Sequence, residues 1–338
     1  MITLTNFASF WRRASVFTAL GIGGILILFV LFLFGKSIRN SLFPPPPPTA
    51  IVAFGKLPKT DFSDGIRQQG TINYKIETIS GELPQLSTSA KVFAISASNS
   101  SFGKLEDVKK KAQSIGFTLA PQIIPQGFRF VDAKDSSRIF TVDSSSGDFL
   151  YQTSLQGISK PKSTDDAIGT ARTFFNNFNL SDKEFPYNRV YTTNLKFSAS
   201  DLVPASSLSS SDLVRVDFYR ADVDKLPILP IADGKSQVVA QVTDKGIVGA
   251  KMNIYNLERF KFATYPLKGV TKAYTELQNG QGVFNANSSS DTFEITNINL
   301  GYVESSKTSQ YLTPVYIFTS RGSLKAFIDA VDDAWISR

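Results

Sequence analysis

From Ala14 to Gly35 the chain reads ASVFTALGIGGILILFVLFLFG, 22 residues without a charge. Wound as an α-helix, that run reaches about 33 Å, against a bilayer hydrocarbon core of about 30 Å. The run predicts an N-terminal transmembrane helix. A secretory signal has a shorter apolar core and a small-residue cleavage site. Here the apolar run passes into GKSIRNSLF and Pro44–Pro48, so an uncleaved anchor is expected. Arg12 and Arg13 flank one end and Lys36 and Arg39 the other, so the positive-inside rule separates the two orientations weakly. A short tail before a large translocated region places the N-terminus in the cytoplasm and the rest outside the cell membrane. Ser15, Ala19 and Gly23 recur at i, i+4 and i+8, a stripe against which a second membrane helix can pack closely. Glycine and alanine are common in membrane helices in any case. The five prolines form a polyproline II rod of about 15 Å, suited to a stand-off spacer.

The net charge is +7, with 36 basic and 29 acidic residues. Four of the basic residues flank the apolar run and no acid precedes Asp61, so the soluble part is close to neutral. No Lys/Arg stripe interleaved with aromatics is present, which argues against a nucleic-acid partner. The chain has no cysteine and no histidine. Disulfides, thiolate nucleophiles and Ser-His or Cys-His pairs are therefore excluded, along with the commonest metal ligand. Carboxylate chemistry, Ser-Lys chemistry or no chemistry remains.

Beyond the spacer, strand signals dominate. Thr71–Ile79 alternates Ile72, Tyr74, Ile76 and Thr78 with polar neighbours, the period of a half-buried strand, and Val92–Ile95 is its expected partner. Leu105–Ile115 predicts a helix closed by Gly116. Strands follow at 128–131, 138–142 and 148–152. Ser163 with Asp166 resembles a capping box ahead of a helix with Ala167, Ala171 and Phe174 or Phe175 on its apolar face. In Leu213–Tyr219, Val214, Val216 and Phe218 face one way and Arg215, Asp217 and Tyr219 the other. Two strands joined by Asp244-Lys245-Gly246, a third helix at 270–277, and strands at 292–303, 311–319 and 323–331 complete the pattern. The apolar phase slips between Ile295 and Ile298, a β-bulge. The expected fold is α+β: the transmembrane helix, then antiparallel sheet modules, each with a short helix on one face. The expected divisions are a tail (1–13), the membrane helix (14–35), a Pro-rich spacer (36–69), a first module (70–156) and a larger second region (157–338).

Ser101-x-x-Lys104 and Ser159-x-x-Lys162 match the Ser-Lys pattern of acyl enzymes, but Gly103 and Pro161 interrupt the helical turn that chemistry needs. Asp165-Asp166 suits a helix first turn. Asp222, Asp224 and Asp233 lack the spacing and central glycine of a calcium loop. No catalytic, cofactor-binding or metal-binding residue is assigned. The only candidate site is the membrane-helix face of Ser15, Ala19 and Gly23.

The stretches SDLVRVDFYR (211–220), FATYPLKGVTKAYTELQNG (262–280) and INLGYVESSKTSQYLTPVYIF (298–318) resemble bacterial single-pass envelope proteins. The last of them is similar to the C-terminal region of the YycH/YycI regulators: a helix with Ala273 and Leu277, a strand ending in Gly301-Tyr302, then Leu312-x-Pro314-Val315-Tyr316. The resemblance covers roughly the final 130 residues. It implies an extracytoplasmic region that restrains a sensor histidine kinase through membrane-helix and ectodomain contacts. The expected function is a membrane-anchored extracytoplasmic interaction or regulatory protein without catalysis or cofactor. Its expected partners are the membrane and another membrane protein. The alternative is a cell-envelope enzyme or wall-binding protein using carboxylates.

Overall fold

The computed structural model describes residues 23–24, 29 and 50–337, apart from 69–71, 97–104, 199–200, 233–234, 254, 289 and 306–308. Thr49–Arg338 forms one compact unit. Eighteen strands and three α-helices are assigned among the described residues, so the unit is mostly β-sheet, and the α+β expectation is corrected. Of the expected transmembrane helix, only Gly23, Gly24 and Phe29 are described, and all three are helical. Among the described residues no helix is long and apolar enough to cross a membrane.

The largest sheet has nine strands, all antiparallel. Its order is Gln122–Ile124, Gly127–Val131, Ile139–Asp143, Phe149–Gln152, Gly246–Met252, Val238–Thr243, Leu213–Phe218, Val190–Ser198 and Asp201–Pro204. Two helices, α1 (Leu105–Ser114) and α2 (Thr164–Asn176), contribute to the core on one face. Ser163 caps α2, its hydroxyl accepting from the Asp166 N–H at 3.0 Å. Ala167 and Ala171 are fully buried and small, so α2 can approach the sheet while Phe175 fills the space between. The core is rich in aromatic contacts, with Phe149 and Phe178 ring centres 4.2 Å apart. Gly116 closes α1 at φ 91°, a backbone conformation that favours glycine.

The second sheet has six strands. Asn73–Ile76 pairs in parallel with the start of Thr292–Glu304, and Ile228–Pro230 in parallel with its end. Pro314–Ser320, Lys325–Asp329 and Val283–Phe284 follow antiparallel. Helix α3 (Val270–Gln278) packs Val270, Ala273 and Leu277 into a cluster with Phe293, Tyr316 and Ile328. The third sheet holds Ser89–Ser96 between Asn256–Pro266 and Tyr311–Leu312.

The picture of successive modules, each with its own helix, is overturned by these pairings. Strands of the stretch 70–156 are divided among all three sheets, and Phe149–Gln152 is hydrogen-bonded to Gly246–Met252. Asn73–Ile76 does not pair with Ser89–Ser96. The reason is burial: Val92, Phe93 and Ala94 are all buried, so that strand is covered on both faces and flanked by two distant strands. Leu57, in the stretch read as spacer, is fully buried and bridges Ile336.

Candidate functional site

Strand alternation decides the chemistry of the two faces of the nine-stranded sheet. Phe130, Phe140, Phe149, Val216, Ala240 and Ala250 point into the helix-covered core. Their neighbours point the other way. The pairing register places Gln122, Arg129, Thr141, Leu150, Lys251, Val239, Asp217 and Tyr191 in one cross-strand row over eight strands. A second row runs through Ile139, Gln152, Gly249, Gln241, Arg215 and Thr193.

Part of this face is an open hollow of about 590 Å³, walled by Leu155, Leu195, Leu202 and Pro204 and floored by Leu150, Arg215, Val239, Gln241 and Lys251. A second hollow of about 280 Å³ continues it past Arg129, Ile139 and Thr141, sharing Leu150 and Gln152. Leu150 is 50% exposed, and Tyr191, Phe197 and Leu155 are exposed on the same face or its rim. Gly249 keeps the floor low, since a Cβ there would meet Gln241 Oε1 at 2.7 Å.

The lining carries Arg129, Arg215 and Lys251 and, among the described residues, no carboxylate. Asp217 lies beneath Arg215, whose Nε donates to it at 2.8 Å, and Ser236 Oγ donates to its other oxygen at 2.5 Å. Arg215 Nη2 also donates to Thr193 Oγ1 at 3.2 Å. Burial pushes the Lys251 ammonium below its ordinary pKa; Asp64 and Asp148 oppose that shift and Lys235 adds to it. The lining therefore offers cations, amide groups and aliphatic surface.

A second polar cluster lies inside the protein. Arg220 is 1% exposed; its Nε donates to Glu304 Oε1 at 2.7 Å, its Nη1 to Glu184 Oε2 at 3.0 Å and its Nη2 to the Tyr255 carbonyl at 2.8 Å. The guanidinium lies 4.1 Å from the Tyr255 ring centre. Tyr255 Oη donates to Glu304 Oε1 at 2.6 Å, and Arg259 Nε to Glu184 Oε1 at 3.1 Å. Burial pushes the Glu184 carboxyl up, but Arg259 and Arg220 more than offset it and hold it below the ordinary carboxylate value. Burial and the nearby Glu304 push the Tyr255 phenol well up. With every hydrogen-bonding arm of Arg220 occupied, the cluster joins elements of different sheets.

Of the residues singled out from sequence, Ser15 and Ala19 lie outside the described residues, and Gly23 is helical. Ser101, Lys104 and Asp233 also lie outside them. Ser159 and Lys162 are in a loop, where Ser159 N–H donates to Asp244 at 2.9 Å. Asp222 pairs with Arg189 at 3.3 Å and Asp224 with Lys91 at 3.0 Å. Among the described residues no group of three or more metal-ligating side chains occurs. Sequence reading separated Arg215 and Asp217 from the core face but did not assemble them with Leu150, Gln241 and Lys251. Their common signal was the polar half of each alternating strand.

No protein-family model matches the chain. No curated protein matches it either. Among solved structures, an uncharacterized protein from Eubacterium rectale is similar at 14% identity and a TM-score of 0.40, over 75% of this chain and 85% of that one.

Proposed function

We propose that the protein is an extracytoplasmic interaction or regulatory module without catalytic activity, held at a membrane through its charge-free segment 14–35. It receives a protein partner on the open face of the nine-stranded sheet. The observation that carries this reading is the hollow itself, where Leu150, Leu155, Leu195, Leu202, Pro204 and Val239 form one apolar lining with Leu150 and Leu155 exposed. Exposed apolar side chains scattered singly need no explanation, but a contiguous group rimmed by polar residues marks an interaction surface. The similarity of the segment 298–318 to the YycH/YycI regulators makes a membrane-bound sensor histidine kinase the first partner to test.

A photo-crosslinking amino acid at Leu150 tests the reading in intact cells, with the same group at exposed Lys110 on α1 as control. A discrete membrane-protein adduct is expected from Leu150 and not from Lys110. Gly249→Leu, which fills the floor without changing charge, should abolish that adduct at normal abundance. Equal adducts at both positions, or an adduct indifferent to Gly249→Leu, would overturn the proposal.

A further inference from the structure

We infer that the segment received by this face is an extended acidic polypeptide lying across the strands, with its carboxylates against Lys251, Arg129 and Arg215. This rests on the reading of the face as the partner site and names the chemistry of what it takes. The lining holds three cations and, among the described residues, no acid. Arg215 already holds Asp217, whereas neither Lys251 nor Arg129 has an ion-pair partner among the described residues. Asp64 and Asp148 act on Lys251 only from beyond ion-pair distance, so an occupant supplying carboxylates meets two cations without breaking a direct ion pair.

The shape favours a chain over a small anion. Eight adjacent strands at about 4.8 Å spacing make a row about 33 Å long, the reach of about ten extended residues. Lys251 and Arg129 are three strands apart in that row, with Leu150 next to Lys251. Three strand spacings are about 14 Å, which is the rise of four residues in an extended chain. Acids at i and i+4 with an apolar residue at i+2 share one side of such a chain. The acids then fall on Lys251 and Arg129 while the apolar side chain falls near Leu150. The amides of Gln152 and Gln241, at the floor of the hollow, are placed to bond a backbone crossing them. A glycan would call for an aromatic platform within the hollows, and among the described residues their lining holds one ring, Tyr151, which belongs to the core, while exposed Tyr191 and Phe197 lie outside the lining.

The test uses the full chain in nanodiscs of zwitterionic lipid and fluorescent ten-residue peptides, with binding read by anisotropy. One peptide carries Asp-x-Leu-x-Glu, a second replaces both acids by lysine, and a third keeps the composition but moves the acids to i and i+3. The first should bind at least about tenfold more tightly than the other two and weaken at high salt, as screening of partly exposed charges requires. Lys251→Glu with Arg129→Glu should remove that preference and turn it toward the lysine peptide. Equal binding of acidic and basic peptides, or a preference unchanged in the double variant, would overturn the inference. So would full competition by phosphatidylglycerol vesicles but not by the acidic peptide, which would make the occupant a lipid surface. If the Leu150 adduct persists while the acidic peptide shows no preference, the partner site stands and only its chemistry is wrong. If the adduct is also lost, both fail.

Discussion

Replacing Arg220 by methionine keeps most of the side-chain volume and removes the one cation that Glu304 and Glu184 share. Glu304 is 4% exposed and, among the described residues, would retain only the Tyr255 hydroxyl as a side-chain donor. Glu184 keeps Arg259 and is 28% exposed, so most of the penalty falls on Glu304. Breaking a buried pair by deleting one partner costs about 3–5 kcal/mol, because the other charge is left unpaired in a poor solvent. For a unit of this size each kcal/mol shifts Tm by roughly 2 °C, so a drop of roughly 6–10 °C is expected. Arg259→Ala removes a more exposed pair from the same cluster and should cost about 1 kcal/mol or less. The double variant Arg220→Met with Glu304→Leu restores an uncharged interior. It should recover much of the loss, since neutral replacement of a buried pair is often tolerated. Thermal unfolding followed by circular dichroism measures all four proteins. If Arg220→Met melts within 2 °C of the parent, or the double variant is no better than the single, the buried charge is not what the cluster protects. A single variant that loses stability without recovery in the double would assign the cost to packing against the Tyr255 and Phe185 rings, whose centres lie 4.1 and 5.0 Å from the guanidinium.

Burial pushes the Asp329 carboxyl above its ordinary pKa, while a hydrogen bond donated by Thr60 partly opposes the shift. A raised carboxylate stabilises the fold least when ionised, so its contribution is present below the unfolded pKa and is lost as pH rises through the folded one. Asp329→Asn, which can still accept from Thr60, should therefore raise Tm at pH 7, with the gap closing as pH falls toward 3; a lower Tm at pH 7 would contradict this. For the proposed topology, Ser145 lies exposed in the turn between Ile139–Asp143 and Phe149–Gln152 of a cysteine-free chain. Ser145→Cys should react with a membrane-impermeant thiol reagent on intact cells, and labelling only after lysis would place this region inside.

Local features were legible because they rest on local physics. The alternation in Leu213–Phe218 is borne out by Val214, Val216 and Phe218 in the core and Arg215 on the open face. The Ser163 cap, the Gly116 stop and the phase slip after Ile295 all appear where the residues place them. Strand partners were not legible, because period two says which side chains face inward and nothing about which strand lies alongside. Asn73–Ile76 has the same pattern whether it pairs with a near neighbour or, as observed, with Thr292–Ile295. The open face was hidden for a related reason. Each of its residues looks like an ordinary solvent-facing position in its own strand, and only the register of eight strands sets Lys251, Leu150 and Arg129 in line.

The same register favours face-on docking over strand addition for the partner proposed above. The outer strands of the nine-stranded sheet are Gln122–Ile124 and Asp201–Pro204, three and four residues long. Edges so short offer few backbone groups to an incoming strand. The longest edge strand elsewhere, Asn256–Pro266, is interrupted by a register shift between Glu258 and Phe262, where Phe260 is 98% exposed beside exposed Lys261. A bulge with a projecting lysine is a common defence against edge pairing. With the edges shortened or bulged and the other face filled by α1 and α2, the hollow over Leu150 and Lys251 is the large backbone-satisfied surface left open on this sheet. For the proposed partner, side-chain chemistry rather than ladder hydrogen bonds would therefore supply selectivity, which is why the test above targets the charges at Lys251 and Arg129.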